Sequence, residues 1–212
     1  MIQIIPFLRT ISRFIQSIKI TYYQPLLSGK INKGEYSYVT PPSYISDLSH
    51  IEIGNYCNIE RDSIILNVQG SFIMKDHSGA ATGLKVVTDN HNPEVGEQYS
   101  DRKNGNLIKG DVLVDEDVWI GLNVTLLANT HICRGAIVGA GTVVRGQKIP
   151  PYALVVGNPA KIVGFRFTPE EIIEHEKALY PEEDRLPLGL LEKNYNKYFI
   201  NRISEIKSLT KL

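Results

Sequence analysis

Aliphatic residues recur at every sixth position over a long central stretch of the chain. From position 108 onward these residues are Ile108, Val114, Ile120, Leu126, Ile132, Val138 and Val144. Small or β-branched residues stand four places after most of them, at Val112, Val118, Val124, Thr130, Ala136 and Thr142. A helix repeats its apolar residues at about 3.6 positions and an exposed strand at about 2. A strict period of six instead predicts a prism-shaped solenoid, in which each hexapeptide forms one short face.

A weaker form of the same repeat precedes this stretch. The step of six runs through Val39, Ile45 and Ile51, and the frame then moves by two residues to Ile53, Ile59 and Ile65, with Cys57 and Ser63 at the small inward positions. The period fails between about residues 68 and 107, although Phe72–Met74 and Val86–Val87 still indicate strands. We expect a loop to protrude after His91, at about residues 92–107, because long excursions of this kind often carry function.

Both ends of the chain predict helices. Thr168-Pro169-Glu170-Glu171 has an N-cap residue, a proline at the first helical position and a glutamate that completes a capping box. An amphipathic run follows at positions 191–209, and positions 4–18 also carry a helical apolar face. A solenoid must cover its open ends. The sequence therefore predicts a helical cap at 1–30, a solenoid at 31–166 and C-terminal helices at 167–212.

Composition excludes several classes of protein. The 212 residues include 23 Lys and Arg and 23 Asp and Glu, so the basic surface expected of a nucleic-acid-binding protein is not indicated. The two cysteines, Cys57 and Cys133, lie far apart, and no CxxC or Cys/His spacing suggests a disulfide framework, a zinc knuckle or another metal site. The first 20 residues do not read as a secretion signal, so a cytoplasmic location is predicted.

Four ordered motifs resemble those of the hexapeptide-repeat acyltransferases. They are Asp117–Gly121 (DVWIG), Gly139–Val144 (GAGTVV), Ile149–Ala153 (IPPYA) and Gly157–Lys161 (GNPAK). Within that family, the sequence is most similar to sugar O-acetyltransferases and xenobiotic acetyltransferases, and residues 78–91 resemble surface-polysaccharide acetyltransferases. The resemblance implies an all-β solenoid, a left-handed parallel β-helix with N- and C-terminal helical caps. It also implies a homotrimer, sites between neighbouring chains, and acetyl-CoA as cosubstrate without a metal.

The resemblance assigns the reacting groups. His91, in the loop before the WIG motif, matches the family's general base, and imidazole suits that role because it titrates near neutral pH. His77 is the rival base. The family's oxyanion donor, a backbone N–H, corresponds to Leu122, while Asp89 and Asn90 are placed beside the substrate.

Similarity also places a second set of residues along coenzyme A. These residues are Trp119, Gly121, Ala140, Arg145, Lys148, Lys161 and Arg166. Arg145 and Lys148 remain alternatives for a phosphate contact, because residues 145–148 depart from the Thr-Lys-Asp pattern of many relatives. Arg166 is included because Gly164 stands where relatives often carry a basic residue.

The resemblance favours acetyl transfer to a sugar hydroxyl, with a capsule or O-antigen glycan as acceptor. N-acetylation of an amino sugar and O-acetylation of an antibiotic are alternatives with the same chemistry. Two further alternatives are a zinc enzyme like γ-class carbonic anhydrase, which would need three convergent imidazoles, and a non-catalytic trimeric scaffold. Residues 1–20 combine basic residues with an apolar face, so weak association with a membrane surface is a further hypothesis for this segment.

Overall fold

Three parallel sheets wind into a triangular prism of about six coils in the computed structural model, which describes residues 4–18, 30–98 and 107–209. We call the sheets faces A, B and C. Face A contains β1 (Asn32–Lys33), β4 (Ile51–Ile53), β7 (Phe72–Met74), β12 (Val112–Val114), β15 (His131–Ile132) and β18 (Lys148–Ile149). Face B contains β2 (Tyr38–Val39), β5 (Asn58–Ile59), β8 (Gly79–Ala80), β13 (Trp119–Ile120), β16 (Ile137–Val138), β19 (Ala153–Val156) and β20 (Lys161–Phe165). Face C contains β3 (Tyr44–Ile45), β6 (Ile64–Leu66), β9 (Lys85–Val87), β14 (Thr125–Leu127) and β17 (Val143–Val144).

The chain visits the faces in the order A, B, C in each coil, and each strand pairs with the strand one coil later. Val114 pairs with Ile132, for example, and Ile120 pairs with Val138, so one coil of this region is three hexapeptides. Within faces A, B and C of the described chain, only the final strand, β20, runs antiparallel to its neighbour, β19. The predicted parallel β-helix is confirmed.

The aliphatic repeat fills the interior of the prism. Of the seven aliphatic residues of the central repeat, the six from Val114 to Val144 are fully buried, and the six small residues between them are buried as well. The earlier shift of frame has a simple cause. Val39 pairs with Ile59 and Ile45 pairs with Ile65, so the two frames share one inward position and this coil is two residues longer than those of the central repeat. The extra residues lie between β3 and β4, and Ile51 and Ile53 both point inward from β4 with exposed Glu52 between them.

Coil three also belongs to the solenoid, in the region where the sequence period fails. Phe72, Met74, Ala80, Leu84 and Val86 are buried in the same core. The chain leaves the prism only after face C of this coil. There, β10 (Asp89–His91) and β11 (Leu107–Lys109) form an antiparallel hairpin.

The hairpin corrects one prediction. Ile108 falls in the six-residue frame, but it lies on β11 and is 46% exposed. The frame therefore begins inside the prism at Val112 and Val114, and Ile108 matches it by coincidence. The described part of the predicted active-site loop, residues 92–98, is exposed.

The C-terminal end of the prism is covered by helices. They are α2 (Pro169–Leu179), α3 (Leu188–Tyr198) and α4 (Ile203–Leu209), with short 3-10 turns at Glu182–Asp184 and Ile200–Arg202. A further 3-10 turn, Leu48–His50, lies in the solenoid between β3 and β4. Helix α2 has the predicted capping box between Thr168 and Glu171. Ile172 of α2 and Leu191 of α3 pack with Tyr152 in a second buried cluster.

The N-terminal helix α1 spans Ile4–Ile18. Its described side chains, including Leu8, Ile11, Phe14 and Ile15, are exposed. The cap role of residues 1–30 and the membrane role of residues 1–20 stay predictions. Among the described residues, no helix has the length and hydropathy needed to cross a membrane.

Candidate functional site

The edge between faces B and C brings the backbones of coils four and five close together at Gly121. A Cβ atom at this position would lie 2.7 Å from the backbone N of Ala140 and 2.9 Å from the carbonyl oxygen of Val138. Both distances are shorter than real Cβ contacts, so only glycine fits here without a shift of the backbone. The Gly121 N–H donates to the Val138 carbonyl at 2.8 Å, which fixes the spacing.

The turns of coils four and five leave two backbone donors on the outside of this edge. In the described part of the chain, the N–H groups of Leu122 and Ala140 donate no hydrogen bond, whereas their neighbours Gly121, Asn123, Gly139 and Gly141 all donate to carbonyl groups. Ala140 is exposed, and so is Leu122. Two unpaired N–H groups on adjacent coils, about 5 Å apart along the axis, can donate hydrogen bonds to oxygen atoms of a bound ligand.

Basic residues extend the same edge toward the C-terminal coil. Arg145 Nη2 donates to Asn158 Oδ1 at 3.4 Å, so the guanidinium lies beside the turn that joins β19 to β20. Lys161 is exposed at the start of β20, opposite Val156. Leu122, Ala140 and Lys161 therefore follow the B–C edge, whereas Arg145 follows β17 on face C and reaches the β19–β20 turn with its side chain.

The outer surface of face B carries a groove with a volume of about 620 Å³, which we call the face B groove. Its lining includes Asn58, Glu60, His77, Asp117, Trp119 and Arg166. Trp119 is 65% exposed, an unusual state for so large an apolar side chain, and it lies two residues before Gly121. Arg166 Nη1 donates to Asp117 Oδ2 at 2.7 Å, which places Arg166 at the A–B edge and away from the line of Leu122 and Ala140.

His77 has a structural partner on its own side of the prism. It adopts a positive φ of 58° at the A–B edge, and its ring stacks on Tyr56 with centroids 4.9 Å apart. Tyr56 stacks in turn on Tyr36 at 5.0 Å. The stacking of rings from successive turns explains why an aromatic residue stands at position 77, and this explanation needs no catalytic role for His77.

His91 lies at the last position of β10, on the hairpin that leaves the edge between faces C and A. Its side chain is exposed. Asn90 Oδ1 accepts from the His91 N–H at 2.9 Å. The Asp89 carboxylate accepts from the backbone N–H groups of Val68, Gln69 and Gly70 at 2.8 to 3.2 Å, so Asp89 anchors the hairpin to the preceding coil.

The hairpin and the donor edge occupy different edges of one prism. His91 follows face C of coil three, whereas Leu122 follows face B of coil four. A neighbouring prism alongside the first could bring its own B–C edge up to the hairpin. The other predicted residue, Lys148, lies on face A, across the prism from the B–C edge.

Face A holds a cluster that the sequence analysis did not find. Asp115, His131 and Cys133 each place one donor atom within 4.8 Å of the other two. Burial raises the pKa of the Cys133 thiol to about 11 and also raises the pKa of the Cys57 thiol. The sequence repeat could have indicated that Asp115 lies beside Cys133, because positions 115 and 133 differ by the 18 residues of one coil.

Comparison with known proteins identifies similar sequences among acetyltransferases. No protein-family model matches the chain. A chloramphenicol acetyltransferase of Agrobacterium fabrum is 28% identical over 155 residues, which is 73% of this chain and 68% of that protein. The galactoside O-acetyltransferase of Escherichia coli K12 is 28% identical over 153 residues, which is 69% of this chain and 66% of that protein.

A solved structure gives the same picture of the fold. The hexapeptide-repeat acetyltransferase of Vibrio cholerae O1 biovar eltor, determined with acetyl coenzyme A, aligns with a TM-score of 0.59 and 26% sequence identity. The alignment covers 67% of this chain and 75% of that one. The sequence motifs, the fold and this solved structure therefore all indicate similarity to hexapeptide-repeat acetyltransferases.

Proposed function

We propose that this chain transfers an acetyl group from acetyl-CoA to a sugar hydroxyl. Its resemblance to the hexapeptide-repeat acyltransferases, in sequence motifs and in the parallel β-helix, is confirmed. The acetyltransferase activity rests on the relatives and on the Vibrio cholerae structure solved with acetyl coenzyme A. The choice of a sugar hydroxyl goes further and rests on the galactoside O-acetyltransferase and on the resemblance of residues 78–91 to surface-polysaccharide acetyltransferases.

The observation that carries this proposal is the pair of unpaired N–H groups at Leu122 and Ala140. A thioester bound along the B–C edge would meet the Leu122 N–H with its carbonyl oxygen. The Ala140 N–H would bind an amide oxygen of the pantetheine arm. Arg145 lies in the same coil as Ala140, after β17, and Lys161 begins β20, two strands beyond β16 and roughly 10 Å further along the axis. Both side chains can bind phosphates.

His91 acts as the general base in this mechanism. The imidazole takes the proton of the acceptor hydroxyl as the oxygen attacks the thioester carbonyl. The Leu122 N–H stabilises the negative charge that develops on the carbonyl oxygen, and one such donor is typically worth about 10²–10³ in rate. When the C–S bond breaks, the imidazolium returns the proton to the leaving thiolate of coenzyme A, so the enzyme ends in its starting state.

We propose that the site forms between two chains of a homotrimer. The hairpin of one chain would supply His91, and the neighbour would supply Leu122 and Ala140. The separate edges that these residues occupy in one prism support this arrangement. Trp119, exposed on face B, would then line the cleft between the chains.

Acetylation of an antibiotic is the second candidate, and a specific observation favours it. The chloramphenicol acetyltransferase of Agrobacterium fabrum matches 73% of the chain. Against it stands the composition, because the sequence has a single tryptophan, and residues 178–181 are Ala-Leu-Tyr-Pro where xenobiotic enzymes tend to carry a tryptophan-rich motif. Both candidates use the same donor and base, so they differ only in the acceptor.

An acceptor panel tests the proposal. Thiol release from acetyl-CoA would be measured with mono- and oligosaccharides, amino sugars and chloramphenicol. We expect release that depends on a sugar acceptor and yields an ester. Release that requires chloramphenicol, or an amide product, would support the alternatives, and a protein that binds no acetyl-CoA in calorimetry would be a scaffold.

The His91→Ala variant tests the mechanism. We expect kcat/KM to fall by about 10²–10⁴, the usual contribution of a general base, with acetyl-CoA affinity unchanged. His77→Ala is the matched control, since His77 stacks on Tyr56 and should affect the rate little. A large loss in His77→Ala combined with near-normal turnover in His91→Ala would reverse the assignment of the base.

A further inference from the structure

The outer surface of face A gathers a carboxylate, an imidazole and a thiol at one point. His131 Nε2 lies 2.8 Å from Asp115 Oδ2 and 3.9 Å from Cys133 Sγ. Cys133 is buried, and the other two side chains are half-buried. The three residues are unrelated to the residues proposed for acetyl transfer.

The geometry of the coil explains why these residues meet. His131 and Cys133 are two positions apart on one extended segment, so their side chains point to the same side of face A. Asp115 follows β12 as Cys133 follows β15, and these strands pair in parallel with Val114 opposite Ile132. Asp115 therefore stacks beside Cys133 on the adjacent coil.

Hydrogen bonding alone leaves this cluster poorly satisfied. A single nitrogen, His131 Nε2, faces both the Asp115 oxygen and the Cys133 sulfur. If that nitrogen carries a proton, it donates to Asp115 and accepts nothing from the thiol. If it carries none, it can accept from the thiol, but its lone pair then faces a carboxylate oxygen at 2.8 Å. A cation resolves the conflict, because it accepts electron pairs from all three atoms.

We propose that Asp115, His131 and Cys133 bind a thiophilic divalent cation, with Zn²⁺ as the best match. Zinc takes thiolate, imidazole and carboxylate ligands at about 2.0–2.3 Å in tetrahedral geometry, which places ligand atoms roughly 3.3–3.7 Å apart. The observed separations of 2.8 and 3.9 Å bracket that range. On binding, the Cys133 thiol releases its proton to water and forms a bond from sulfur to the metal.

The surroundings hold the ligands and leave a fourth position open. Lys75 Nζ lies 3.1 Å from Asp115 Oδ1, so it fixes one carboxylate oxygen while the other faces His131. Asp115 and Cys133 line a groove of about 400 Å³ between face A and helix α3, which water or a small ligand can enter to complete the coordination. Two ligands come from coil five and one from coil four, so the ion would link these coils.

Cobalt is the probe for the experiment, because Co²⁺ occupies zinc sites and reports its ligands spectroscopically. Full-length protein without a histidine tag would be stripped with chelator and titrated with Co²⁺. We expect one equivalent to produce a thiolate-to-cobalt charge-transfer band with the visible absorption of tetrahedral cobalt, and one equivalent of Zn²⁺ to bleach both. Zn²⁺ should also raise the melting temperature.

Two variants assign the ligands. Cys133→Ser should lose the charge-transfer band, and His131→Ala should weaken Co²⁺ affinity at least tenfold, both with an unchanged circular dichroism spectrum. Cys57→Ser is the matched control, because Cys57 is an equally buried cysteine outside the cluster. The proposal is overturned if the wild-type protein gives no charge-transfer band, or if the band survives in folded Cys133→Ser. These results do not depend on acetyl transfer.

Discussion

Gly121 determines how closely two coils approach at the edge where the backbone donors lie. Its hydrogen atom occupies the space in which a methyl group would meet the Ala140 nitrogen at 2.7 Å. The two obstructing atoms, the Ala140 nitrogen and the Val138 carbonyl oxygen, belong to the backbone, which cannot rotate away as the end of a side chain can. The position of this glycine is therefore a property of the site as well as of the fold.

Gly121→Ala should damage the donor edge. We expect the two coils to separate locally, the free energy of unfolding to fall by about 1–3 kcal/mol as in other overpacked positions, and coenzyme A affinity and kcat to fall together. Calorimetry, steady-state kinetics and urea unfolding measure the three quantities. Gly189→Ala, in helix α3 with open space around the glycine, should be neutral or stabilise by up to about 1 kcal/mol. Wild-type coenzyme A binding in Gly121→Ala would show that this edge is not the site.

Glu176 fastens helix α2 to the end of the solenoid. Its fully buried carboxylate accepts from the Tyr152 hydroxyl at 2.7 Å, from Arg134 Nη1 at 3.0 Å and from the Leu186 N–H at 3.0 Å. Burial, reinforced by this carboxylate, raises the pKa of the Tyr152 hydroxyl well above its usual value, so the hydroxyl remains a donor. One side chain thus joins the helix, coil six and the segment before α3.

Glu176→Ala should be destabilising, because the Tyr152 hydroxyl and the Leu186 N–H lose their acceptor and, within the described ranges, Arg134 keeps only Glu116 and the Asp184 carbonyl as hydrogen-bond acceptors. Removing one member of such a buried pair typically costs about 3–5 kcal/mol. Urea unfolding at one fixed protein concentration measures the change. Glu174→Ala on the same helix is the control, since Glu174 is 74% exposed and its surface pair with Lys177 should contribute less than about 1 kcal/mol. Equal stabilities of the two variants would contradict this role of Glu176.

At the level of elements, the six-residue period predicted the strands whose side chains fill the core. Inward positions such as Ile120 and Val138 repeat because each coil places its residues over those of the last, and the capping box at Thr168 is a local pattern. The hairpin was predicted only as a loop, since two exposed strands outside the prism impose no periodic burial, and Ile108 was wrongly assigned to the core.

The candidate site was less readable from the sequence than the fold. The resemblance placed Leu122 and Ala140 in the site, but only the coil geometry shows that their N–H groups are unpaired on one edge. Lys148 and Arg166 point elsewhere, because sequence spacing does not say which face or edge a residue occupies. The Asp115–His131–Cys133 cluster required the 18-residue coil as well as the composition.

At the scale of the whole molecule, the proposed mechanism would make activity a property of the assembly, because His91 and Leu122 lie on separate edges of one prism. A closed trimer repeats one heterologous contact three times, so each hairpin would meet the donor edge of the next chain. Light scattering coupled to gel filtration should give the mass of three chains. A single chain in solution that nevertheless transfers acetyl groups would contradict the proposed arrangement.

Mixed trimers distinguish a site between chains from a site within one chain. We would coexpress His91→Ala chains with Gly121→Ala chains and purify the assemblies that contain both. If the site lies between chains, about a third of the sites in these mixed trimers should pair an intact hairpin with an intact edge, so the mixture should exceed the average activity of the two parent variants. If hairpin and edge act within one chain, no site in the mixture is intact and the activity equals that average. Parent trimers mixed after folding serve as the control, because chains that do not exchange cannot complement one another.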